Sequence, residues 1–197
     1  MPRKPRVWYP GATYHITARG VRKMDIFLDT LDFQTYLKYL LDVRARHPYT
    51  LHAYCLMNNH LHLQLETVKT PLDIIIKDLH SQYAIYFNKR YDAHGHVFQG
   101  RYGAEIIENY PYFLKVSSYI HLNPVAASMV KRPEDYRWSS YSAYIAAADT
   151  KNPYVSMEKT LSYFSAPHSA NPQKPPRQHY KAFVEALGGQ AQTILVN

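Results

Sequence analysis

The stretch "HLHLQLET", His60 to Thr67, alternates without a break. Leu61, Leu63 and Leu65 fall on one side, and His60, His62, Gln64 and Glu66 on the other. A period of two is the signature of a strand with one face buried. A one-residue slip would exchange the two faces, so the register is fixed. Any fold for this chain must give the leucines a core and leave two imidazoles side by side on the opposite face. Same-face neighbours in a strand lie about 6–7 Å apart at the backbone, close enough to converge on one ion. Such a pair suits manganese, zinc or another borderline metal, and magnesium if an oxygen ligand and water complete the shell. An ordinary polar strand face is the competing reading, and H-x-H alone does not decide between them.

The neighbouring segments supply the core. "YHITARG" (14–20) alternates Tyr14, Ile16 and Ala18 against His15, Thr17 and Arg19, and reads as a strand. In residues 29–46, Leu31, Tyr36, Leu37, Leu40, Leu41 and Val43 recur at helical spacing, with Asp29 or Thr30 as the cap. "YTLHAYCLM" (49–57) and "HLHLQLET" form a strand pair, joined by Asn58-Asn59, residues that tolerate positive φ in a hairpin turn. Pro71 opens a second helix, with Leu72, Ile75, Ile76, Leu79, Tyr83 and Tyr86 on its apolar side. "VFQGRYGAEII" (97–107) predicts a strand pair or one bent strand. "NYPYFLKVSSYIHLNP" (109–124) predicts a third helix, capped by Asn109 or Tyr110 and stopped by Pro124. A short helix follows within 132–147.

The order β-α-β-β-α-β-α predicts an α+β fold of the ferredoxin-like, split βαβ kind. It has one antiparallel sheet with helices on one face, leaving the other face free for work. The expected organisation is a main domain over residues 1–148, a proline-rich linker over 149–178, and a short helix and tail over 179–197. "SAPHSANPQKPPRQ" (165–178), with four prolines and no periodicity, carries the linker reading.

Charge bears on the partner. The 23 basic and 15 acidic residues give a net +8, which favours a polyanion, nucleic acid first. Nineteen tyrosines among these cations suit stacking on unpaired bases. No apolar run approaches the roughly 20 residues that span a bilayer, and "MPRKPRVWYP" is not followed by the apolar stretch of a signal peptide. One cysteine, Cys55, excludes an internal disulfide and a cysteine-based zinc cluster. These features predict a cytoplasmic protein with no membrane partner.

On the third helix, Tyr119 and Asn123 stand four residues apart on one face, beside the apolar stripe of Phe113, Val116 and Ile120. A histidine pair, a tyrosine and an amide make a set with chemistry. A metal stabilises charge on a phosphodiester, and a phenol, weakly nucleophilic with a free pKa of about 10, attacks phosphorus. His121 points about 200° around the helix from Tyr119 and is an unsuitable ligand. A second pair, His94 and His96, flanks Gly95 in a loop and suits a turn or a nucleic-acid contact.

At these residues the chain resembles a known family. "NNHLHLQLE" is similar to the histidine signature of the HUH endonucleases. "YIHLNPVAASMV" is similar to the single-tyrosine helix of the REP-associated tyrosine transposases, as are "FQGRYGAEII" and "DYRWSSY". The resemblance runs from about Tyr9 to Tyr144. It implies a divalent metal, Mg2+ or Mn2+, held by His60, His62 and Asn123. Tyr119 is then the nucleophile, forming a 5′-phosphotyrosine link and freeing a 3′-hydroxyl that later rejoins strands. The implied substrate is single-stranded DNA bearing an imperfect hairpin with a guide tetranucleotide beside its stem. The wider single-strand transposases carry glutamine four residues after the tyrosine, whereas asparagine stands here, as in the REP-associated branch. Arg3, Lys4 and Arg6 resemble the arm that reads the guide bases. Arg19, Arg22, Lys23, Lys89, Arg90 and Arg101 are candidate phosphate contacts. The resemblance favours a monomer, with a dimer as the alternative, acting at the bacterial nucleoid. Two other readings are weighed. One is a non-catalytic hairpin-binding protein of transposase descent. The other is a phosphoesterase with two H-x-T/S motifs, for which "HIT" (15–17) supplies one and "HLH" fails to supply the second.

Overall fold

Residues His60–Thr67 form a strand in which Leu61, Leu63 and Leu65 are fully buried. The computed structural model describes residues 7–146, 152–165 and 174–188. In chain order the elements are β1 (Thr13–Arg19), α1 (Thr30–Arg46), β2 (Tyr49–Met57), β3 (His60–Thr67), α2 (Leu72–Tyr91) and β4 (Gly103–Ile106). Then come α3 (Tyr110–Ala126), α4 (Tyr141–Ile145), α5 (Glu158–Ser162) and α6 (Pro176–Gly188). The four strands make one antiparallel sheet in the order β2-β3-β1-β4. This is the α+β, split βαβ architecture that the sequence predicts. No helix among the described residues is long and apolar enough to cross a membrane.

The leucine face packs on α1 and α2 through Tyr36, Leu37, Leu40, Ile75, Ile76, Leu79 and Tyr83. The expected free face is where the structure differs. α3 lies across it, packing Phe113, Val116 and Ile120 on Ala53, Cys55 and Met57 of β2. The helices therefore occupy both faces, and only the part of the second face nearest β1 and β4 stays open. The reason lies in β2, which is apolar on both faces, and a bulge between Leu51 and Ala53 makes His52 an extra residue. Leu51 thus stays on the α1–α2 side, with Tyr54 and Leu56. Ala53, Cys55 and Met57 form a second apolar face that must also be covered.

Three local expectations change in detail. Pro124 does not stop α3, which continues to Ala126 with Pro124 buried inside it. The proline removes one amide donor, and Ala127 N donating to Asn123 O closes the following turn. The Asn58-Asn59 hairpin forms without positive φ at either residue. The asparagines serve as acceptors instead, for Ile26 N and Phe27 N at Asn58 O, and for Gly20 N at Asn59 O. Of residues 97–107, only Gly103–Ile106 is strand, with Phe98 in an isolated bridge to Gly20.

Of the expected linker, residues 152–165 and 174–178 are described, and they hold α5 and the start of α6. α5 is tied to the sheet by one carboxylate. Glu66 Oε2 accepts from Lys159 Nζ at 2.6 Å, His52 Nε2 at 3.1 Å and Thr13 Oγ1 at 3.3 Å. These partners, His52 first, pull its pKa from 4.5 to about 2 against the opposing effect of burial. A depressed carboxylate contributes stability that is complete above its unfolded pKa and lost as pH falls toward its folded one. With about a quarter of the side chain exposed (26 %), screening reduces that contribution to roughly 1–2 kcal/mol. We therefore expect Glu66→Gln to lower stability by that amount at pH 7, and the gap to close between pH 4.5 and pH 2. Urea denaturation of both proteins across this range is the check.

Candidate active site

The nucleophile candidate is placed by how α3 is held on either side of it. Asn109 caps the helix by accepting from Tyr112 N at 2.9 Å. Buried Gln64 of β3 donates from Nε2 to Phe113 O at 2.9 Å, pinning the first turn to the sheet. On the far flank the side chains of Ser117 and His121 are buried against α6 and the segment before α4. The Tyr180 hydroxyl lies 2.7 Å from both Ser117 Oγ and His121 Nδ1, and His121 Nε2 lies 2.8 Å from Ser140 Oγ. Burial drives the His121 pKa down to about 3, so it is a neutral structural group. This agrees with the expectation that it does not join the site. Tyr119 faces the other way, half-buried, over the open part of the sheet.

There it meets three imidazoles. The Tyr119 ring stands perpendicular to His62, with centroids 5.5 Å apart, and nearly so to His15 at 5.6 Å. His15 and His62 stack at 5.3 Å, and His15 Nε2 lies 3.0 Å from His62 Nδ1. His60 is edge-on to His62 at 5.2 Å. The structure therefore brings together His60, His62, Tyr119 and Asn123, and adds His15. The sequence held that signal, since the alternation of β1 sets His15, Thr17 and Arg19 on the face of His62. Its cross-strand partner is Thr17, so His15 reaches His62 on the diagonal.

The chemistry of these donors fits a divalent ion. His60 Nδ1 sits 2.7 Å from Asn59 Oδ1, an atom that only accepts, so Nδ1 carries the proton and Nε2 keeps its lone pair. Asn123 donates from Nδ2 to Tyr119 O at 3.2 Å, which leaves its Oδ1 as a donor atom for a ligand. Burial lowers the pKa of His15, His60 and His62, the last to about 3. Arg19 also lowers His60, against a hydrogen bond with Asn123 that raises it. Neutral imidazoles are the form that ligates. Among the described residues no group of three or more His, Cys, Asp or Glu side chains is poised around a metal.

His60, His62, Tyr119 and Asn123 line a cleft of about 410 Å³, shared with Thr17, Arg19, Gln99, Arg101 and Gly103. Two of the expected phosphate contacts, Arg19 and Arg101, lie on it, both exposed. Arg22 and Lys23 stand in a left-handed turn, φ 52° and 65°, tied to the hairpin through Asn59 Nδ2 and Lys23 O. Lys89 and Arg90 lie on the other side of the sheet, at the end of α2. Arg90 is engaged there by Asp29 at 2.5 Å and Asp32 at 2.7 Å. His94 and His96 are exposed in the loop after α2. Arg3, Lys4 and Arg6 lie outside the described residues.

Residues 9–123 match the profile of the IS200-like transposases. The chain belongs to that family. A REP-associated tyrosine transposase, solved bound to a REP hairpin, aligns with a TM-score of 0.64 and 18% identity. The alignment covers 79% of this chain and 98% of that one, and the likeness is one of fold. A transposase candidate from Deinococcus radiodurans R1 aligns at a TM-score of 0.43 and 16% identity, over 60% of this chain and 95% of its own. Among curated proteins no sequence relative is found.

Gly20 permits the basic turn that follows β1. A Cβ there would lie 2.0 Å from Met24 O and 2.9 Å from the Ile26 side chain. Gly20→Ala should therefore destabilise the protein by about 1–3 kcal/mol, as overpacking does, read as a lower midpoint in chemical denaturation.

Proposed function

We propose that the protein is a nicking and joining enzyme for single-stranded hairpin DNA, with Tyr119 as nucleophile. The observation that carries this reading is the seat of Tyr119. A tyrosine half-buried on a pinned helix stands edge-on to two neutral imidazoles, at the wall of a cleft rimmed by arginines. A packing tyrosine has no need of that company.

In this reading the Tyr119 hydroxyl attacks the phosphorus and the bond to the 3′-oxygen breaks. The 5′-phosphate ends on tyrosine and a 3′-hydroxyl is released. The reverse attack by a 3′-hydroxyl rejoins strands, so the phosphoester is conserved and no nucleotide cofactor is consumed. His60, His62 and Asn123 would hold Mg2+ or Mn2+, which supplies Lewis-acid stabilisation of charge on the phosphate. Arg19 and Arg101 bind the backbone on either side of the scissile phosphate, and Arg22 and Lys23 extend that contact. Arg3, Lys4 and Arg6 read unpaired bases beside the stem, while Lys89 and Arg90 lie off this path. The similarity to a REP-hairpin-bound transposase supports a palindromic hairpin as the substrate. Residues 1–148 carry the reaction as a monomer. The residues beyond act through α6, whose Tyr180 buttresses the nucleophile's helix.

The test is a labelled hairpin oligonucleotide incubated with Mn2+ and resolved on a denaturing gel. A covalent protein–DNA band is expected from the wild type, none from Tyr119→Phe, and none with EDTA. A band persisting in Tyr119→Phe overturns the nucleophile. Hairpin binding without a band under either metal leaves the binding-only alternative. Removing Arg101 should weaken hairpin binding and reduce the slope of log affinity against log salt by about 1.

A further inference from the structure

His15 has no part in the ligand set or the nucleophile, yet it makes the closest side-chain contact to His62 that the site contains. Its Nε2 lies 3.0 Å from His62 Nδ1, and the two rings stack at an interplanar angle of 20°. Only one of two neutral imidazole nitrogens that meet can carry the proton. With Nδ1 of His62 committed to His15, Nε2 is the nitrogen left for the cleft. A nitrogen that ligates must have a free lone pair, so the proton of His62 belongs on Nδ1, donated to His15 Nε2. His15 then carries its own proton on Nδ1. Directly across β1–β4, its Cα partner is Glu105, whose carboxylate acts on the His15 imidazole. The same strand position that makes His15 a neighbour of His62 thus gives it an anionic backing.

We infer that His15 is a positioning residue that fixes the tautomer and ring orientation of His62, in a Glu105–His15–His62 series. This rests on the proposed metal role of His62 and adds a residue to it. Ligating histidines commonly donate their second ring nitrogen to a carboxylate, carbonyl or water, and losing that partner costs about 10- to 100-fold in metal affinity. Here a second imidazole takes that place. The arrangement also constrains the nucleophile, because the Tyr119 ring is perpendicular to both members of the stack. A rotation of His62 would take away the wall against which that ring rests.

Two measurements test this. The first uses the wild type alone. Long-range 15N–1H correlation of the histidine rings should show His62 protonated at Nδ1 and His15 unprotonated at Nε2. A His62 proton on Nε2 overturns the inference. The second is Mn2+ titration by calorimetry without DNA, with melting in EDTA recorded for each protein. His15→Phe keeps the stack but offers no acceptor, and should weaken Mn2+ binding about 10- to 100-fold. His15→Gln restores an acceptor and should recover most of that loss. Equal Mn2+ affinity in wild type and His15→Phe, or a His15→Gln no better than His15→Phe, sinks the positioning role while leaving the metal site standing. A wild type that takes up no Mn2+ removes the metal site itself, and the inference with it.

Discussion

The central constraint is a strand that must be covered on both faces. The leucines of β3 need a core and find it in α1 and α2. The other face carries Gln64, His62 and His60 beside the apolar row Ala53, Cys55 and Met57 of β2, so it can be neither wholly solvated nor wholly sealed. α3 resolves this by covering the apolar part and stopping short of the histidines. Its docking joins an apolar stripe, a buried amide from Gln64 to the Phe113 carbonyl, and a buried imidazole network to α6. The Gln64 amide nitrogen and both His121 ring nitrogens have partners there, which makes a polar interface inside a core specific in geometry.

Burial at this interface also controls protonation. Imidazoles taken out of water lose their charged form first, so the histidines beneath α3 stand as neutral donors. Their second nitrogens are occupied by Asn59 and by each other. Backbone at the rim is held just as firmly. Two consecutive left-handed residues without glycine, Arg22 and Lys23, are conformations that L-residues adopt at a cost of roughly 1–2 kcal/mol each. Hydrogen bonds from Val21 N to Val97 O, and from Gly20 N and Ile26 N to the hairpin asparagines, hold the turn in place. Strain kept in this way is found at functional sites, and here the strained turn is tied through Lys23 O to Asn59, next to His60.

Much of this was legible in the sequence, for local reasons. Period-two alternation fixed the faces of β1 and β3, and capping residues and prolines placed the starts of α1 and α3. The i, i+4 spacing put Tyr119 with Asn123. What stayed hidden depends on groups far apart in the chain. The bulge at His52 appears only when β2 is registered against β3, and with it the transfer of Leu51 to the α1–α2 side. His15 was visible as a polar-face residue of β1, but its reach to His62 is a diagonal contact across 47 positions of sequence. Arg90 looked like any other exposed cation until Asp29 and Asp32 were brought against it. The proline-rich stretch read as a linker because its periodicity is weak, yet Lys159 within it completes a carboxylate cluster on the sheet.

The sheet's two rims differ in a way that bears on solubility. Beside β2, Trp138 O accepts from Leu56 N, Ser140 exchanges bonds with Tyr54, and Ser156 N donates to Leu51 O. That rim is closed to any further strand. Among the described residues only β4 ends the sheet without a partner, and it is four residues long and begins at a glycine. Unpaired edges are the templates on which chains aggregate, and short ones offer few bonds. A chain with this many β-branched and aromatic residues is thus guarded against edge-to-edge polymerisation by a loop on one side and by brevity on the other.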